Sequence, residues 1–353
     1  MKLLKENYKL KSLLLMTNNI LFSFNKKQNK TIVKIFVSII FVCFFQTSFA
    51  QAPWSVTSTS NFASLPVQSD GAQLVNTIYH SKLLHQDIGF VIYLPASYFT
   101  SPENKFPLIL NLHGANTRYF DYAGWSIGEF TSSMKTGMLP QTIVVYPNGF
   151  SIKPDGKNEG GAYWMDYYDP TGGTTPGKCE TTIITELIPY LENTYRIGTK
   201  KENKAIVGFS MGGYGAVRFA MLSQKFGSCT SIDGALRDIP NIKNSGTKAA
   251  STFVAANNND IATCEANCIH TIYAKNKAKA RSVPFNIITS EGVEWASGRS
   301  WAPDAESLAA KMKTDGVTVT YKFIPNLQHN TSAFMKVQKS EIMNFIAKYL
   351  VSP

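Results

Sequence analysis

Residues 205–213 read Ala205-Ile206-Val207-Gly208-Phe209-Ser210-Met211-Gly212-Gly213: a short β-branched run that gives way to small residues around one serine. A serine hydroxyl is a poor nucleophile near neutral pH, so it must project from a strained strand-to-helix turn where a histidine can reach it. Gly208 and Gly212 lack the Cβ that would clash in such a turn, and Gly213, Gly215 and Ala216 let a following helix lie close to the sheet. A buried-strand pattern precedes the Gly-x-Ser-x-Gly motif and a helix-compatible stretch, 214–223, follows it. Ser210 is therefore the candidate nucleophile.

In this arrangement the partners follow in the order serine, acid, histidine, each on a loop after a later strand. Of the five histidines, His80 and His85 sit in an early strand-like segment and His113 precedes the motif, which leaves His270 and His329. His270 stands in a polar, Asn- and Lys-rich stretch with no strand leading into it. His329 follows the alternating run 317–324 and a short Pro325-Asn326-Leu327-Gln328 loop, and precedes a helix pattern over 332–350, so it is the candidate base. The acid must hold the histidine tautomer, and the loop after the strand pattern 285–289 offers Glu291, Glu294 and, further on, Asp304. Glu294, beside Trp295, is the first choice. Asp304 is the alternative, although it resembles a first-turn acid of a helix over 305–312.

A tetrahedral oxyanion needs N–H donors fixed in advance, and Met211, directly after the nucleophile, supplies one. The second is expected from Ala115, because the strand pattern 107–112 ends in His113-Gly114 and Gly114 permits the turn. His113 reads as a brace for that loop. It is not the expected proton carrier.

With these pieces placed, the chain resembles the α/β-hydrolase superfamily, and within it the esterase family that includes S-formylglutathione hydrolases, feruloyl and acetylxylan esterases and mycolyltransferases. The resemblance runs from about Gly89 to Leu350, and is carried by Val91-Ile92-Tyr93-Leu94-Pro95, Leu112-His113-Gly114, Val144-Val145-Tyr146-Pro147-Asn148-Gly149, Glu186-Leu187-Ile188-Pro189-Tyr190-Leu191-Glu192 and, most specifically, 208–216. Two departures stand out. Ser290-Glu291-Gly292-Val293-Glu294 replaces the usual Gly-x-x-Asp acid loop, and Gln328 stands where a glycine often precedes the histidine. The resemblance implies an α/β-hydrolase fold with a mainly parallel sheet and helices on both faces, no cofactor or metal, and a serine carboxylesterase acting on feruloyl or acetyl esters of plant polysaccharide. Alternatives on the same fold are a polyester depolymerase, an acyltransferase or a non-catalytic carbohydrate-binding protein.

The first fifty residues carry eight lysines and one glutamate, then the apolar run 35–45 and Ser48-Phe49-Ala50. That is the pattern of a secretory signal peptide, residues 1–50, cleaved before Gln51, with Met16 as a second possible start. The run is about half the roughly twenty residues a membrane span needs, and Cys43 lies inside it, away from the cleavage point, so neither an anchor nor a lipoprotein is expected. Removing the leader takes Lys plus Arg from 35 to 27, Asp plus Glu from 24 to 23, and the net charge from +11 to +4. No basic cluster interleaved with aromatics remains, which argues against a nucleic-acid partner.

Four cysteines follow the leader, Cys179, Cys229, Cys264 and Cys268, and an even number fits disulfides in an oxidising compartment. Cys264 with Cys268 and Cys179 with Cys229 is one of three pairings; a zinc site with His270 is the rival, without a second ligand pair at suitable spacing. The remaining chain alternates strand patterns (89–95, 108–112, 142–146, 205–209, 229–233, 285–289, 317–324) with helices. An arm and first strand are expected over 51–88 and a catalytic domain over 89–353, with insertions near 150–178 and 235–283. A helical stripe of Ile184, Leu187, Ile188, Leu191 and Tyr195 contains Pro189, which should bend it. Tyr163, Trp164, Trp295 and Trp301, with Trp125, are candidate flat surfaces for a sugar or phenolic acyl group.

Overall fold

In the computed structural model the described residues are 68–353 apart from 69, 116, 150–162, 167–177, 239–252, 254–259 and 293–299. All described residues belong to one compact unit within Thr59–Pro353. Eight strands form one sheet: β1 (Gln73–Ser81), β2 (Gln86–Leu94), β3 (Leu108–Leu112), β4 (Ile143–Pro147), β5 (Lys204–Phe209), β6 (Ser228–Ile232), β7 (Phe285–Ser290) and β8 (Val319–Ile324), in the order β1-β2-β4-β3-β5-β6-β7-β8. The pairs β1·β2 and β2·β4 are antiparallel, and every other pair is parallel. Parallel strands need crossovers on the faces of the sheet, so the middle strands are covered twice and read as continuous apolar runs. β3, β4, β5 and β6 are buried at every position.

The helices in chain order are α1 (Ala96–Thr100), α2 (Tyr119–Lys135), α3 (Cys179–Thr182), α4 (Ile188–Thr194), α5 (Met211–Ser223), α6 (Ile261–Asn267), α7 (Ile269–Ala280), α8 (Ala302–Thr314) and α9 (Thr331–Tyr349). Alternation along the strands sorts the core into two layers. Leu108, Leu110, Ile206 and Ile287 meet α4, α5, α7 and α8 on one face. Ile109, Val207 and Ile288 meet α2 and α9 on the other.

The expected helix around Pro189 is present, and a π-turn over Ile183–Leu187 joins α3 to α4, with the proline in the first turn of α4. Pro189 has no N–H for the carbonyl four residues back, and one wide turn ahead of it relieves that mismatch. Among the other expectations, the first strand within 51–88 corresponds to β1, and the second insertion carries α6 and α7. Cys179, Cys229, Cys264 and Cys268 are all free thiols, so neither expected disulfide is formed. Cys229 faces the core from β6 and Cys264 and Cys268 bracket the end of α6, each filling its place as a small apolar side chain.

Candidate active site

Parallel strands point their carboxyl ends the same way, so residues just past β5, β6 and β8 gather at one edge of the sheet. Ser210 follows β5 at φ 58° and ψ −121°, the strained turn that lifts its side chain from the chain path. A Cβ on Gly212 would run into the Leu112 carbonyl of β3, so only glycine lets this turn sit against the neighbouring strand. The Ser210 N–H donates to Ile232 O at 3.0 Å, and its carbonyl accepts from Tyr214 N at 3.2 Å and Ala235 N at 3.1 Å, which fixes the turn from both sides.

His329 Nε2 lies 2.9 Å from Ser210 Oγ, and its Nδ1 lies 2.6 Å from Asp233 Oδ2. A carboxylate only accepts, so Nδ1 carries the proton and Nε2 is left to accept from the serine hydroxyl. The imidazole is held on two sides: Phe209 stacks on it with centroids 4.6 Å apart, and Trp301 meets it edge to face at 4.5 Å. Asp233 is 1% exposed. Its Oδ1 accepts from Ser290 N at 3.0 Å and its Oδ2 accepts from Ser290 Oγ at 3.0 Å as well as from the histidine.

The acid at the histidine is therefore Asp233, immediately after β6, where Glu294 was the expectation; Asp304, the alternative, stands elsewhere. Asp304 lies in the first turn of α8 with its Oδ2 accepting from Asp238 N at 3.0 Å and its carbonyl 3.0 Å from His270 Nε2. Glu291 is exposed just past β7, and Glu294 and Trp295 lie outside the described residues. The physical reason for the correction is the strand order: β6 is the immediate neighbour of β5, so a side chain on its first loop residue reaches the histidine directly. The signal was present in Ser231-Ile232-Asp233-Gly234, a carboxylate closing an apolar strand ahead of a glycine. A carboxylate that closes an apolar strand pattern over 229–233 is indistinguishable in sequence from the last residue of the strand.

Met211 opens α5, so its N–H has no partner within the helix and stands at the positive end of the helix dipole. Ala115 lies in the turn after β3, half-buried. His113 sets the orientation of that turn. Its Nε2 accepts from Gly149 N–H at 3.0 Å, so its Nδ1 carries the proton and donates to Gly114 O at 2.8 Å. In a trans peptide the N–H opposes the C=O, and the Ala115 N–H is thus turned away from the ring. Burial holds the imidazole neutral, with its pKa lowered to about 4 despite the opposing bond to Gly114.

The aromatic candidates fall differently from expectation. Trp164 is fully buried, its indole N–H donating to His113 O at 3.2 Å and its ring 4.9 Å from that imidazole. Gly149 and Gly215 leave room for it: a Cβ on either would come within 2.6 Å of its ring. Tyr163 packs edge-on to Tyr214 and Phe253. These two therefore belong to the core beneath the site and offer no open face to a ligand. Trp301 is buried against His329, and Trp125, 68% exposed, lies on the outer side of α2. Among the described residues no three His, Cys, Asp or Glu side chains gather as metal ligands.

The family model described as "Putative esterase" matches residues 81–319. An esterase of Mycobacterium tuberculosis is 31% identical over 137 residues, which cover 37% of this chain and 25% of that protein, so the chain spans about a quarter of the curated relatives it matches. Among solved structures, a ferulic acid esterase aligns with TM-score 0.62 at 20% identity, covering 79% of this chain and 98% of that one. The S-formylglutathione hydrolase of Agrobacterium tumefaciens aligns with TM-score 0.63 at 16% identity, covering 81% and 98%. A ferulic acid esterase of Anaeromyces mucronatus, in complex with ferulic acid, aligns with TM-score 0.55 at 17% identity, covering 79% and 91%. The structural likenesses show an α/β-hydrolase fold, and the family match covers more than half of the sequence. By that match the chain belongs to the "Putative esterase" family.

Proposed function

We propose that this chain is a serine carboxylesterase in which Ser210 forms an acyl-enzyme, His329 serves as base and then acid, and Asp233 orients the imidazole. The observation that carries the proposal is the unbroken line from Ser210 Oγ to His329 Nε2 at 2.9 Å and from Nδ1 to Asp233 Oδ2 at 2.6 Å. As Oγ attacks the ester carbonyl, its proton passes to Nε2 and the imidazolium forms against the buried carboxylate. The oxyanion collects at the Met211 and Ala115 N–H groups. His329 then protonates the departing alkoxide, and a water repeats the sequence to release the acid and restore Ser210.

For the substrate we infer a feruloyl or acetyl ester of plant polysaccharide, a reading supported by the sequence resemblance and by the ferulic acid esterases that share the fold. A panel of p-nitrophenyl acetate, p-nitrophenyl butyrate and methyl ferulate on the purified protein tests it. Turnover of methyl ferulate or the acetate above the butyrate is expected, whereas a preference for the butyrate would sink this substrate class. Ser210→Ala should lower turnover on the order of a million-fold and abolish fluorophosphonate labelling with the fold intact. The leader supports export, and intact mass of the exported protein should place its first residue near Gln51. A mass retaining residues 20–50 would contradict export by cleavage.

A further inference from the structure

Ser290 is the last residue of β7 and is fully buried. Its backbone N–H and its hydroxyl both end on Asp233, one on each carboxylate oxygen, at 3.0 Å each. The oxygen that receives the hydroxyl is also the one 2.6 Å from His329 Nδ1. Ser290 Oγ accepts from Gly292 N–H at 2.9 Å, and that bond occupies a lone pair and leaves the hydroxyl proton for the carboxylate. Two residues further on the strand end meets the base itself. A Cβ on Gly292 would lie 2.7 Å from His329 N and 2.8 Å from its Cβ, so the chain can pass there only as glycine. The end of β7 thus touches both acid and base, although it supplies neither. Asp233 stands at φ 46°, in the left-handed turn that leads the chain off β6, and its carboxylate receives these bonds there.

We propose that Ser290 is a positioning residue for this reaction, an inference that rests on the serine-esterase reading. Its hydroxyl fixes the Asp233 carboxylate in the plane that faces His329. By sharing Oδ2 it also fixes the direction from which that oxygen receives the Nδ1–H. Without that hydroxyl the carboxylate is free to turn, and the imidazole is held less often in line with Ser210 Oγ.

The test is the rate of fluorophosphonate labelling and of p-nitrophenyl acetate turnover, for the wild type, Ser290→Ala, Asp233→Asn and the double variant. A hydrogen bond to a charged group corresponds to roughly a 10- to 100-fold change in rate. Ser290→Ala should therefore slow labelling and kcat by about that factor with KM unchanged. In the Asp233→Asn background it should add no further loss, because the group it positions is gone. A full additional loss in that background, a change confined to KM, or an unchanged rate would each overturn the assignment. Absence of labelling in the wild type would instead remove the esterase reading on which it stands.

Discussion

At the residue scale the acid discriminates sharply. Asp233→Asn keeps the shape of the side chain but presents an amide where Nδ1 must donate, favouring the wrong tautomer, and kcat should fall by on the order of 10⁴-fold. Asp304→Asn should leave turnover near wild type, since that carboxylate serves the Asp238 N–H, and should cost about 1 kcal/mol in a denaturant titration. A crippled Asp304→Asn enzyme beside a normal Asp233→Asn one would reverse the assignment. Ser210 and His329 were legible because each sits next to an apolar run in the order the chemistry requires, and the structure brings them within 2.9 Å. Asp233 was not, because spacing along the chain carries no information about which strands become neighbours. Ser290 was equally silent: a serine ending a strand looks like any other until its partner is known.

At the element scale, α5 carries the nucleophile turn and is tied down by a partly buried pair. Arg218 on α5 meets Glu180 of α3 at 2.7 Å and donates to Asn267 Oδ1 of α6 at 3.0 Å. Burial pushes the Glu180 carboxyl up and the guanidinium beside it pulls it back down. Arg218→Ala would leave that half-buried carboxylate without its cation, a loss of roughly 1–3 kcal/mol in urea unfolding. Replacing both partners by apolar residues of similar size should restore most of it, and a single variant of unchanged stability would show that the pair ties nothing down. The strands and long helices were readable from periodicity, since burial imposes a period of two or of 3.6 on the sequence. The loop bearing Tyr163 and Trp164 was not, because an aromatic pair among glycines looks the same whether it lies open to a ligand or fills the space those glycines leave. The π-turn before Pro189 escaped for a similar reason: the proline announces a mismatch, and only packing decides whether a bend or a wide turn absorbs it.

At the scale of the whole molecule, two buried histidines set the response to acid. Burial lowers His113 to about 4 from an ordinary 6.5, and it lowers His270 in the same direction, against the pull of Asp238. The unfolded chain therefore binds protons in this range that the folded chain refuses. The contribution is fully present above about pH 6.5 and is lost as pH falls toward 4, by about 3 kcal/mol for His113. Urea midpoints should fall steeply over that window, and His113→Gln should flatten the decline. A midpoint independent of pH there would contradict the neutral, sealed imidazole.

The four free thiols have a consequence of their own. Burial raises Cys264 and Cys268 to about 11 and pushes Cys179 and Cys229 further up, so in the folded chain almost none is present as thiolate. A water-soluble aromatic disulfide reacts with thiolates only, and so with each of these only when its own surroundings open. Cys229 lies in the middle of the sheet and answers to global unfolding; Cys179, at the first turn of a short helix, answers to local fraying. Each sulfur is thus a clock set to one region, and the colour released by single-cysteine variants would rank, strand by helix, the order in which this molecule comes apart.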